Sequence, residues 1–192
     1  MQAFGKARRA LLRSGLGLGA ALPFLKLAAV RAADNPEKMR PQPGDRFVFL
    51  KGDKKGEVIK VDDLPLGGPQ EIAYPIDPAT GTVRKGSRLN QVALIRLADA
   101  AITDRTRRFA AEGVVVYSAV CTHQGCPVSM WQPENDTLYC SCHGSEYNPG
   151  DMAEVVAGPA PRRLAILPVK VEDGVIVAAG EFEGAVGFKK PA

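Results

Sequence analysis

Two short segments hold every cysteine and histidine of the chain: Cys121-Thr122-His123-Gln124-Gly125-Cys126 and Cys140-Ser141-Cys142-His143-Gly144-Ser145. Side chains distributed for packing would not gather all the soft or borderline ligands of a 192-residue protein on two loops, so the pattern points to a metal centre. In each segment a cysteine and a histidine lie close together, Cys121 with His123 and Cys140 with His143, and a further cysteine remains, Cys126 or Cys142. Two thiolates and two imidazoles suit tetrahedral zinc, or a 2Fe-2S cluster in which two histidines replace two cysteines on one iron. The remaining cysteines weigh toward the cluster. Zinc has no use for them, whereas an exposed cluster gains from a clamp that ties its two loops together.

The full arrangement resembles the Rieske iron-sulfur proteins, in particular the high-potential branch found in cytochrome bc-type quinol-oxidising complexes. The residues that carry the resemblance are Cys121-Thr-His123-x-Gly-Cys126, a gap of sixteen residues between His123 and Cys140, Cys140-x-Cys142-His143-Gly-Ser145-x-Tyr147, and Gly158-Pro159-Ala160-Pro161. The resemblance implies that Cys121 and Cys140 bind one iron and His123 and His143 the other. It also implies a Cys126–Cys142 disulfide, a proline loop at Gly158, Pro159, Ala160 and Pro161 that covers the cluster, and potential-raising donors at Ser145 and Tyr147. Neutral imidazoles in place of thiolates make such a cluster easier to reduce, raising the potential from roughly −400 mV to between about −150 and +300 mV. A ring nitrogen not used on iron carries a proton that is held more firmly after reduction, so electron and proton uptake are linked.

A disulfide presupposes an oxidising compartment. The N-terminus agrees: Ala7-Arg8-Arg9-Ala10-Leu11-Leu12-Arg13 followed by the uncharged run Gly15 to Leu25 resembles a twin-arginine export signal, with Ala7 where Ser or Thr is usual. The run has eleven residues, short of the roughly 20 that span a bilayer, and Val30-Arg31-Ala32 offers a cleavage site after Ala32. A periplasmic protein is expected, anchored to the inner membrane only where the N-terminus is retained. Residues 1–33 carry six basic side chains and no acid, leaving 19 basic against 21 acidic residues in the rest, a net charge of −2. The basic balance of the whole chain therefore belongs to the signal, and nucleic acid is excluded as a partner.

Beyond residues 1–33, residues 34–45, with Pro36, Pro41 and Pro43, read as an extended linker, either a tether or a segment lying along the surface. Residues 46–183 form the head and 184–192 a tail. Short apolar runs recur at Phe47–Leu50, Glu57–Val61, Val92–Leu97, Val114–Ser118, Thr137–Tyr139, Leu164–Val171 and Val175–Ala179, with turn residues between them. They predict an all-β fold. One helix is expected from Thr103 to Glu112, stopped by Gly113. By resemblance the head takes the Rieske fold, stacked antiparallel sheets with a small cluster-binding subdomain at about 119–161.

Electron transfer through the cluster follows from the resemblance, with no catalysis by the chain alone. The first expectation is the iron-sulfur subunit of a quinol to cytochrome c reductase, with a b-type cytochrome subunit beside it, quinol as donor and a c-type cytochrome as acceptor. The alternative is the small subunit of a periplasmic molybdenum-containing oxidase such as arsenite oxidase, with a molybdenum subunit as partner. Gln124 bears on the choice, because the quinol-oxidising family commonly has Leu after the first ligand histidine.

Overall fold

The computed structural model describes residues 35–188, so the export-like segment at 1–33 and the last four residues of the tail lie outside the described residues. The most apolar stretch sets the architecture. β4 (Val114–Ser118) is buried along its whole length, because β-branched side chains pack well on both faces of a covered strand. Val114 and Val116 join one core with Phe47, Ile59, Leu94, Leu167 and Ile176. Val115 and Tyr117 join a second core with Ile95, Leu138, Tyr147, Leu164 and Ile166, so β4 is the wall between the two.

The first core fills an antiparallel sheet of six strands: β1 (Arg46–Phe49), β2 (Glu71–Ile76), β3 (Val92–Arg96), β4, β9 (Val169–Glu172) and β10 (Val175–Ala178). Their order is β4-β3-β2-β1-β10-β9. The sheet curls back on itself. Ser118 N–H donates to the Ala165 carbonyl and Leu167 N–H to that of Val116, both at 2.8 Å, so the approach to β9 lies against β4 at the opposite edge. The second core runs on into an antiparallel sheet of four strands, in the order β5 (Met130–Gln132), β6 (Thr137–Cys140), β7 (Ser145–Asn148) and β8 (Glu154–Ala157). The expected all-β architecture of stacked antiparallel sheets with a smaller subdomain is what the chain adopts.

Several expected elements differ in extent. The expected strand Leu164–Val171 is divided, because Pro168 has no N–H for the ladder, and β9 starts only at Val169. Glu57–Val61 makes isolated bridges, Val48 with Val58 and Lys60 with Val175, in place of a strand. The helix expected over Thr103–Glu112 is a single turn, α1 (Asp104–Arg107). Two competing contacts shorten it. Thr103 spends its hydroxyl on Gly150 and Asp151 in place of capping the helix, and Ala111 and Val114 pair across a tight turn at Glu112-Gly113, both with positive φ. β2 was hidden by Pro75, which lies beyond the part of β2 that pairs with β3 and so leaves no bond unmade there.

Residues 35–45 lie along the head. Arg84 forms a buried two-pronged pair with Asp45, Nε to Oδ2 at 2.5 Å and Nη2 to Oδ1 at 2.8 Å. Asn90 donates to the Met39 carbonyl at 2.7 Å, and Gly86 N–H to that of Glu37 at 2.8 Å. Among the described residues no helix is long and apolar enough to cross a membrane.

Candidate metal centre

Both ligand segments are built on the same turn. In the loop after β4, Gly125 N–H donates to the Cys121 carbonyl at 3.0 Å, and in the hairpin between β6 and β7, Gly144 N–H donates to the Cys140 carbonyl at 3.1 Å. Each glycine takes a positive φ, 76° and 74°, which side chains resist, so the spacing Cys-x-x-x-Gly folds both segments alike. The first loop is closed at its base by Cys121 N–H to the Cys126 carbonyl and Val128 N–H to that of Ala119. Strands on either side hold the second.

The turns bring the expected residues together. Cys126 and Cys142 are joined in a disulfide with Cα atoms 6.5 Å apart, and the Cys140 sulfur lies within 4.8 Å of both of theirs. Cys121 and Cys140 are free and buried. The imidazoles of His123 and His143 meet edge to face with ring centroids 4.6 Å apart. His143 is exposed, whereas His123 is half-buried and its Nδ1 is buried with no hydrogen-bond partner.

Burial shapes the electrostatics of the site. Burial, reinforced by the neighbouring Cys121, pushes the Cys140 thiol up to about 11. Burial and the Cys121 sulfur likewise push the Tyr147 hydroxyl well above the ordinary tyrosine range. That hydroxyl lies 3.1 Å from Cys121 Sγ and also accepts from Thr122 N–H at 3.3 Å. Ser145 is fully buried with an unpartnered Oγ. Unpartnered buried polar atoms are rare. An imidazole nitrogen and a hydroxyl left without partners beside two buried thiols are the donor set that iron and sulfide would satisfy, so the residues fit a 2Fe-2S cluster.

The segment Gly158-Pro159-Ala160-Pro161 follows β8 and touches both loops. A Cβ at Gly158, φ 81°, would overlap the Gly144 carbonyl and stand 2.6 Å from Ser145 Cα, so only glycine allows the approach. At its other end the Arg162 carbonyl accepts from the Thr122 hydroxyl at 2.6 Å. Two contacts were not foreseen. Thr122 sits inside the motif but had no assigned role, although it bridges the proline segment and Tyr147. Arg88, from a short 3-10 turn before β3, donates to the Gly125 carbonyl at 2.8 Å, and no sequence signal marks it.

The fold and the donor set are those of an iron-sulfur protein. The family model of the Rieske [2Fe-2S] domain matches residues 76–168. The putative respiratory nitrate reductase subunit Rieske of Haloferax mediterranei is 41% identical over 84% of this chain and 69% of its own length. The cytochrome bc1 complex Rieske iron-sulfur subunit of Streptomyces lividans is 41% identical over 67% of this chain and 75% of its own. Among solved structures, the soluble domain of Rieske protein II from Sulfolobus acidocaldarius matches with a TM-score of 0.37 and 24% identity, covering 50% of this chain and 66% of that one. The chain belongs to the Rieske family and binds a 2Fe-2S cluster.

Proposed function

We propose that this protein is the electron-transfer subunit of a quinol to cytochrome c reductase type complex, with Cys121 and Cys140 holding one iron and His123 and His143 the other. The bound cluster supplies one-electron chemistry at a potential raised by the two neutral imidazoles. The observation that carries the reading is the contrast in exposure: both thiols are buried while His143 is exposed. One imidazole edge is thereby offered to a donor, whose hydroxyl proton it takes as the electron arrives. Ser145 and Tyr147 stabilise the added charge by donating toward sulfur. The relative from Streptomyces lividans, named as a bc1 subunit, supports the same assignment.

The Cys126–Cys142 disulfide supports a head working in an oxidising compartment, the periplasm if residues 1–33 act as an export signal. A second reading is a subunit that serves a partner chain with a different redox centre. Gln124 favours it, an exposed polar side chain at the tip beside His123, as does the Haloferax relative named for a respiratory nitrate reductase. Co-purification from native membranes separates them. A b-type haem subunit in the purified complex supports the first reading, and a molybdenum-cofactor subunit in its place supports the second.

A further inference from the structure

Arg88 lies 33 residues before the first ligand loop, yet its Nη2 is 2.8 Å from the Gly125 carbonyl, between Gln124 and Cys126. Among the described residues no other guanidinium or ammonium group donates to either ligand loop. This is not a loose surface side chain. Its 3-10 turn, Arg88–Asn90, begins at Ser87, whose hydroxyl accepts from Leu89 N–H, and the Arg40 guanidinium grips the Leu89 carbonyl at 2.7 Å. Asn90, fully buried, donates to both Met39 and Arg84 carbonyls. The next residue, Gln91, accepts from Ala119 N–H at 2.9 Å, at the foot of the same ligand loop.

We propose that Arg88 is a positioning residue for the cluster, holding the first ligand loop through the Gly125 carbonyl and raising the reduction potential by placing a permanent positive charge beside it. The effect on the potential is one of charge. A guanidinium stays charged at any working pH, and a nearby positive charge favours the reduced state, which carries one more negative charge. The side chain is exposed, so solvent screens the charge and the effect is moderate.

Given the ligand set proposed above, the test compares Arg88→Gln and Arg88→Lys with wild type in the full chain carrying its cluster, reading the potential by circular dichroism during redox titration. R88Q is expected to shift the one-electron equilibrium against reduction by about threefold to tenfold, up to about 59 mV. R88K is expected to recover most of that shift, with little change in thermal midpoint for either variant. Cluster spectra intact in all three proteins, with the one-electron equilibria of both variants within about twofold of wild type, would overturn the role of Arg88 and leave the ligand set standing. If R88Q does not retain its cluster, R88K decides. A loaded R88K near the wild-type potential supports the role of the charge, and one shifted as far as expected for R88Q overturns it.

Discussion

Tyr147 brings one side chain of a strand against the candidate metal centre. β7 alternates its side chains, so Ser145 and Tyr147 face the same core while Glu146 and Asn148 turn outward. The Tyr147 ring is fully buried and its hydroxyl stands 3.1 Å from Cys121 Sγ, where a donated hydrogen bond stabilises added negative charge. Tyr147→Phe keeps the ring and removes the donor. It is expected to lower the midpoint potential by about 59 mV, a tenfold change for a one-electron couple, while costing only about 0.5–1.5 kcal/mol of stability. Redox titration checks the first and urea unfolding the second; an unchanged potential would remove Tyr147 from the account. At this scale the proposed ligand residues stood out because chemistry restricts which side chains bind iron. Arg88 was not, because a side chain that bonds to a backbone carbonyl leaves no trace in the sequence.

The elements around the centre are held by close backbone approach. Gly158 brings the proline segment onto Gly144 and Ser145, and Gly68 meets Trp131 with a would-be Cβ at 2.8 Å from the ring. Gly158→Ala is expected to force the proline segment off the second loop, destabilising the subdomain by about 1–3 kcal/mol. Differential scanning calorimetry would register this as a lower midpoint, and an unmoved midpoint would contradict the contact. Strands β3, β4 and β10 were readable because their apolar runs serve two covered faces. β7 and β8 were not, since each has only four residues and Ser145–Asn148 is largely polar. The helix was overextended because propensity alone cannot see that Thr103 is claimed by Gly150 and Asp151.

Across the whole molecule, the six-stranded sheet and the cluster subdomain are locked by polar contacts. The Tyr117 hydroxyl donates to the Pro149 carbonyl at 2.7 Å, and Met152 N–H donates to the Thr106 hydroxyl at 2.7 Å. Arg105 grips Asp151 with Nε at 2.5 Å and Nη2 at 2.7 Å, and this holds the Asp151 carboxyl below the usual carboxylate range. The folded state therefore binds the Asp151 proton more weakly than the unfolded chain does. The contribution is complete above about pH 4 and is lost as pH falls through the depressed folded value. For a pair this exposed it amounts to about 1 kcal/mol or less. Urea midpoints of wild type and Arg105→Gln should differ at pH 7 and converge at about pH 2. A constant gap would show that the pair does not act through this proton.

The packed segment 35–45 also belongs to this scale. Whether it was tether or strap was not legible, since the deciding partner, Arg84, is 39 residues from Asp45. Asp45→Asn leaves the buried Arg84 guanidinium uncompensated and is expected to cost about 3–5 kcal/mol in denaturant unfolding. A loss under about 1 kcal/mol would mean that the strap is not latched there.

Two thiols and two imidazoles of this chain are proposed to hold the 2Fe-2S cluster. Electron paramagnetic resonance of the ascorbate-reduced protein, with nitrogen couplings resolved in samples labelled with ¹⁵N-histidine, tests it most directly. A paramagnetic 2Fe-2S signal coupled to two histidine nitrogens is expected, reached with a mild reductant because two neutral imidazole ligands raise the potential. A silent sample containing zinc, or a cluster signal without histidine coupling, would contradict it.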